Sequence, residues 1–155
     1  MSSSAAAEGA LEIRAARLGE CAELAALLAT LLPERWSEAQ LSSEIALPEG
    51  RVWIARNADG IAGFLVARRE LDELHVLLTG VAQAWQRRGT ASRVFEALLA
   101  REVGLARVHL EFRESNTGAE GFYRALGFRA DGRRPRHYTG GEAAILMSRV
   151  LPPRG

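Results

Sequence analysis

Apolar positions change their period several times along the chain, and each change marks a predicted element. Leu11, Ile13 and Ala15 alternate with Glu12 and Arg14, the pattern of a half-buried strand. Cys21, Leu24, Ala25, Leu28, Leu31 and Leu32 then recur at helical spacing, which predicts a helix over residues 19–32 that Pro33 stops. Ser37-Glu38-Ala39-Gln40 reads as a capping box opening a second helix, with Leu41 and Ile45 inward. Two apolar runs, 51–56 and 61–69, flank Asn57-Ala58-Asp59-Gly60, whose turn chemistry makes them antiparallel neighbours. A strand over 74–81 follows. Gly80 inside it marks a bulge, or a place where a ligand's amides pair with exposed backbone.

The next segment carries Ala91, Val94, Phe95, Leu98 and Leu99 on one stripe and predicts a helix over 90–103 ended by Gly104. In the strand 107–112, Val108, Leu110 and Phe112 share one face, while Arg107, His109 and Glu111 share the other. Thr117 and Glu120 have the spacing of a second capping box, before a helix with Ala119, Phe122, Tyr123 and Leu126 on one side. Gly127 is placed as its left-handed cap and Phe128 as the apolar residue packing back on it. Strands are expected near 128–130, 137–139 and 142–150, turning through Gly140-Gly141.

The resulting order, β-α-α-β-β-β-α-β-α-β-β, argues for a mixed sheet with helices on both faces. The 155 residues, 48% hydrophobic and 25% charged, suit one globular domain. We expect residues 1–10 to be a flexible N-terminus and 11–151 a single domain. A net charge of +1 gives no case for a nucleic-acid partner. Cys21 is the one cysteine, which excludes an internal disulfide and a thiolate cluster; on its apolar stripe it reads as a small buried hydrophobe. His75, His109 and His137 lack a second ligand at metal spacing, so no metal is expected. With no signal-peptide pattern and no run long enough to span a bilayer, a cytoplasmic protein without a membrane partner is expected, as a monomer or weak homodimer.

Trp85-Gln86-Arg87-Arg88-Gly89-Thr90-Ala91 joins a strand to a helix, and free N–H groups at a helix start make an anion site. It fits neither the Walker loop nor the three-glycine dinucleotide fingerprint. Gln86 to Ala91 resembles the Gln/Arg-x-x-Gly-x-Gly/Ala loop of the GCN5-related N-acetyltransferase (GNAT) superfamily. Leu110-Glu111-Phe112-Arg113-Glu114-Ser115-Asn116, Phe122-Tyr123-Arg124-Ala125-Leu126-Gly127-Phe128 and Gly141-Glu142-Ala143-Ala144-Ile145-Leu146-Met147 resemble three further superfamily segments, in the required order. Within the superfamily the chain is most similar to the ribosomal-protein-alanine acetyltransferases, in detail from about Leu74 to Met147. Earlier, Arg35-Trp36-Ser37-Glu38 is similar to the Pro-Trp-Ser-Glu that shapes their peptide pocket.

The resemblance implies a mixed α/β (α+β) GNAT fold: a central mixed, mostly antiparallel sheet of about seven strands flanked by about four helices. It implies acetyl-CoA as co-substrate. Gln86, Arg87, Arg88, Gly89, Thr90, Ala91 and Ser92 would hold the pyrophosphate. Thr79, Gly80 and Val81 would lie beside the acetyl-pantetheine arm, and Asn116 would contact the cofactor. Acetyl transfer from a thioester to an amine needs a base for the ammonium and a donor for the departing thiolate. Glu111, at a strand end, suits the first task; Tyr123, apolar in body with a hydroxyl, suits the second. The matching family positions are the general base and the general acid.

The acceptor is less determined. Trp36 reads either as a core plug or as a wall of the acceptor pocket. Gly132-Arg133-Arg134-Pro135-Arg136-His137-Tyr138 replaces a family Arg-Arg-x-Tyr-Tyr that binds peptide, leaving His137 and Tyr138 as candidate acceptor contacts. Arg129, Arg133, Arg134 and Arg136 suit an acidic peptide or a solvated surface equally. A peptide N-terminus is the leading acceptor, against a small amine such as a polyamine, aminoglycoside or amino acid. A catalytically silent acyl-CoA-binding module is the rival from outside enzymes; Glu111 with Tyr123 argues against it.

Overall fold

The computed structural model describes residues 10–33 and 36–153. Residues 1–9, which make up nearly all of the expected flexible N-terminus, and Arg35 of the expected pocket motif lie outside the described residues. Among the described residues, seven strands and four α-helices follow one another in the expected order, and hydrogen-bonded neighbours follow β1-β2-β3-β4-β5-β7-β6. The β4–β5 pair is parallel, while β1–β2, β2–β3, β5–β7 and β6–β7 are antiparallel. The sheet is therefore mixed and mostly antiparallel. The chain divides into two compact units, one of residues up to 68 with 78–102, the other of 69–77 with 103 onward.

In the first unit, β1 (Glu12–Ala15) pairs with β2 (Gly50–Asn57), which turns into β3 (Gly60–Glu70). Asp59 donates its N–H to Asn57 Oδ1 at 2.9 Å in that turn, the Asx geometry that made the hairpin legible. Residues 61–67 of β3 are buried without a break, so both of its faces are covered. Helix α1 (Cys21–Leu31) buries Cys21, Leu24 and Leu28. A short 3-10 turn, Leu18–Glu20, precedes it where helix was expected from residue 19. Glu20 ends that turn by accepting from Arg14 (2.8 and 2.9 Å), Arg56 (2.7 Å) and the Arg17 N–H (2.9 Å).

Helix α2 (Glu38–Ala46) starts at the expected capping box: Gln40 N–H donates to Ser37 Oγ at 3.1 Å and Ser37 N–H to Gln40 Oε1 at 2.8 Å. Its inner face differs from expectation. Leu41 is buried, but the second buried residue is Glu44, not Ile45, because Arg68 on β3 clasps its carboxylate with Nε (3.0 Å) and Nη2 (2.6 Å). Helix α3 (Thr90–Arg101) buries the predicted stripe, together with Thr90, and packs on β1 and β2.

In the second unit, the start of β4 (Glu73–Val81) pairs with β5 (Arg107–Arg113), β5 with β7 (Ala144–Val150), and β7 with β6 (Arg129–Arg134). On β5, Val108, Leu110 and Phe112 are buried and the intervening side chains are not, as the alternation predicts. Helix α4 (Ala119–Ala125) closes with a Schellman motif: Phe128 N–H donates to the Tyr123 carbonyl and Gly127 N–H to that of Arg124, both at 3.0 Å. Gly127 takes φ +93° and Phe128 is buried, as expected.

Two local expectations fail here. Thr117 does not cap α4: Gly118 occupies the N-cap with no side-chain bond, and Thr117 N–H instead turns back to the Ser115 carbonyl at 3.0 Å. Residues 137–139 are not a strand. They belong to a loop in which Tyr138 N–H donates to the Glu142 carbonyl at 3.0 Å and Gly140 and Gly141 take φ +96° and +91°.

Candidate functional site

The first unit supplies an anion cradle. After Val81 the chain makes a 3-10 turn, Gln83–Trp85, and an exposed loop in which Arg87 (φ +63°) and Gly89 (φ +74°) are left-handed. Gln86 Nε2 donates to the Val81 carbonyl at 3.1 Å and Thr90 Oγ1 to that of Trp85 at 3.1 Å, so both ends of the loop are tied. The Arg88 guanidinium lies 5.4 Å from the Trp85 ring centre. Gly89 caps α3 without a side chain, so the N–H groups of Thr90, Ala91 and Ser92 open the helix with no internal partner. Gln86, Arg87, Arg88, Gly89 and Ser92 are exposed around them, with Thr90 and Ala91 buried below. Phosphate suits that set of donors and charges.

Next to this loop, glycines let backbone and rings approach. A Cβ on Gly80 would stand 2.8 Å from Phe64 Cζ, and one on Gly63 would stand 3.0 Å from Thr90 Cγ2. Thr79 Oγ1 donates to the Phe64 carbonyl at 3.1 Å. Gly63 was not singled out in the sequence; a glycine inside an apolar strand run was the available signal. Trp36 is half-buried, just before the capping Ser37.

The second unit carries the carboxylate and the phenol that the sequence offers as base and acid. Glu111 is opposite Leu146 of β7, on the polar face of β5, with its side chain 28% exposed. Tyr123 is half-buried and packs on the other face: its ring stacks on Phe112 (centroids 5.9 Å) and meets Phe128 edge-on (5.8 Å). One strand thus separates a carboxylate from a phenol. Imidazoles surround the carboxylate, since His137 Nε2 lies 3.6 Å and His75 Nε2 3.8 Å from Glu111 Oε1. His75 stacks on His109 across the parallel pair (centroids 4.6 Å, 13° between planes), and His109 Nε2 lies 3.5 Å from Glu73. Glu111, His75, His109 and Glu73 line a cavity of about 430 Å³ with Arg107, Asp131, Arg134, Leu110, Leu146 and Met147.

Asn116 and Tyr138 belong to two turns that side chains tie together. Glu142 accepts from the Ser115 N–H (3.0 Å) and from Arg113 (3.1 Å); a bond from the Ser115 hydroxyl, then that from Arg113, holds its carboxyl below the usual range. The Arg113 guanidinium lies 4.2 Å from the Tyr138 ring centre, and Tyr138 meets His137 edge-on at 4.9 Å. Of the arginine run, Arg133 is taken up by Glu114 (2.6 and 3.0 Å), which draws that carboxyl down as well. Sequence reasoning missed His75, His109 and Glu73 as site residues. The alternation of His109 with Glu111 was visible, but the parallel register that sets His75 beside His109 joins distant stretches of chain. Among the described residues, no group of three His, Cys, Asp or Glu side chains could hold a metal ion, and no helix is long and apolar enough to cross a membrane.

Residues 21–128 match the Acetyltransferase (GNAT) family. The N-alpha-acetyltransferase RimI of Mycobacterium tuberculosis is 34% identical over 134 residues, covering 83% of this chain and 84% of that one. Among solved structures, the ribosomal-protein-S18-alanine N-acetyltransferase of Escherichia coli superposes with TM-score 0.79 at 25% identity, covering 94% of this chain and 96% of that one. Ard1 from Thermoplasma volcanium does so with TM-score 0.80 at 26% identity, covering 92% and 99%. The chain belongs to the GNAT family of acetyltransferases. It is an N-acetyltransferase, as its sequence motifs implied.

Proposed function

We propose that this enzyme transfers the acetyl group of acetyl-CoA to the α-amine at the N-terminus of a protein or peptide. The observation that carries the reading is the placement of Glu111 and Tyr123 on opposite faces of β5, one suited to an amine and the other to a thiolate. Glu111 takes a proton from the acceptor ammonium, the freed lone pair attacks the thioester carbon, the C–S bond breaks as the Tyr123 hydroxyl protonates the departing sulfur, and the second proton shed by the acylated nitrogen restores the phenol. Gln86 to Ser92 hold the pyrophosphate by backbone N–H groups at the start of α3 and the charge of Arg87 and Arg88. Thr79, Gly80 and Val81 run beside the pantetheine arm, and Asn116 contacts the cofactor. Trp36, His137 and Tyr138 contact the acceptor. The names of the relatives, N-alpha-acetyltransferase and ribosomal-protein-alanine N-acetyltransferase, support an N-terminal amine over a small one.

The test is mass spectrometry of the protein incubated with acetyl-CoA and peptides of varied first residue, alongside a polyamine, an aminoglycoside and free amino acids. A 42 Da gain (about one acetyl group) on peptides alone is expected. A gain on the small amines alone would overturn the acceptor assignment.

A further inference from the structure

Glu111 must lose the proton it gains before the next amine arrives, and two imidazoles reach the oxygen that would carry it. His137 Nε2 and His75 Nε2 stand 3.6 and 3.8 Å from the same Glu111 Oε1, on different elements, one in the β6–β7 loop and one on β4. This is hydrogen-bond reach with slight closure or through one water. Resting on the reading of Glu111 as base, we infer that His75 and His137 are positioning residues that discharge Glu111, so that the acceptor's proton leaves through the histidine-lined cavity.

The proton balance is closed. The N–H bond of the acceptor ammonium breaks and its proton bonds to Glu111 Oε1. That O–H bond then breaks and the proton bonds to an imidazole nitrogen of His75 or His137. The imidazolium finally releases it to water, leaving the carboxylate and a neutral imidazole for the next turnover. Histidine suits a transfer of this kind because its charge changes near physiological pH.

The neighbours favour the two rings as carriers. From β5, His109 stacks on His75 and holds its plane, and Arg107 is engaged by Asp131 of β6 (3.4 Å) and Ser148 of β7 (3.0 Å). From β4, Glu73 faces His109 at 3.5 Å at the other end of the same cavity, and Arg134 of β6 also lines it. β7 adds Leu146 and Met147, which carry no charge. Within the second unit, then, the two imidazoles are the ion-pair partners that face Glu111 Oε1 at under 4 Å among the described residues.

The experiment measures acetylation of a peptide pool of varied first residue at saturating acetyl-CoA and peptide. The enzymes are the wild type, E111Q, H75F, H137F, the double variant H75F/H137F, and H75A with and without added imidazole. Phenylalanine keeps a ring for His109 or Tyr138 to pack on but carries no proton. The expected result is kcat about tenfold down in each single Phe variant and about 100-fold down in the double, with KM for acetyl-CoA unchanged. Imidazole restores H75A and leaves H75F slow. If H75F/H137F turns over like the wild type while E111Q is dead, the inference is overturned and Glu111 as base stands. If H75A stays slow with imidazole and H75F is fast, the ring only packs and the inference is likewise overturned. An E111Q enzyme as fast as the wild type, or a wild type inert towards the pool, overturns the base or acceptor assignment and this inference with it.

Discussion

The Tyr123 ring stacks on Phe112 while its neighbour Glu111 points to the opposite face of β5. If these two are the base and the acid we propose, held apart by one strand, each should fail on its own. E111Q is expected to lower kcat by about 100-fold or more with acetyl-CoA affinity kept, and Y123F to do the same. Steady-state kinetics with titration calorimetry for acetyl-CoA checks this; wild-type turnover in either variant would remove that residue's role.

Arg68 and Glu44 form a pair in which one partner is buried and the other is not, with side chains 42% and 4% exposed. Removing the arginine strands a buried carboxylate, so Arg68→Ala should cost about 3 kcal/mol or more. Glu44→Gln, which leaves a half-exposed cation, should cost less. Urea unfolding of both variants checks the order, and the reverse order would contradict the burial argument.

Hydrogen bonds from Arg14, then from the Arg17 N–H and Arg56, hold the Glu20 carboxyl down from its ordinary 4.5 to about 2. A depressed folded-state pKa stabilises the fold fully above about 4.5, and the contribution is lost as pH falls towards 2. Unfolding free energy should fall through that window in the wild type and fall less in E20Q. At neutral pH E20Q should be less stable by about 2 kcal/mol. Parallel pH curves for the two proteins would contradict the assignment.

Arg87 holds a left-handed backbone, φ +63°, which costs an L-residue with a Cβ about 1 kcal/mol or more. Arg87→Gly should relieve that strain while removing charge from the loop. The expected outcome is equal or higher thermal stability together with weaker acetyl-CoA binding, read by melting curves and calorimetry. Weaker binding with a lower melting temperature would mean that the side chain supports the fold.

Local signals carried most of the fold. The Asn57 to Gly60 turn, the Ser37 capping box and the Gly127-Phe128 cap are each specified by side chains within a few residues, and each formed as expected. The stripe of α3 and the alternation of β5 were equally plain, because burial there follows one period. Where a distant partner decides, the sequence was mute. Glu44 is buried while Ile45 is only half-buried, because Arg68, on another element, compensates the carboxylate's charge. A strand was expected at 137–139 where the structure has a loop: just before it Pro135 has no N–H to donate, and Arg136 is left-handed at φ +55°. The Gln86 to Ala91 loop was readable as a short motif, whereas the histidines around Glu111 come from three separate stretches that only the sheet register and the β6–β7 loop bring together.

The most direct test of the account is the position of the acetyl group on a single peptide that carries a free N-terminal amine and an internal lysine. After incubation with acetyl-CoA and the enzyme, fragment masses locate the modification. The account predicts acetylation of the α-amine with the lysine untouched, and loss of that product in E111Q. Acetyl on the lysine side chain, or an α-amine product that persists in E111Q, would contradict it.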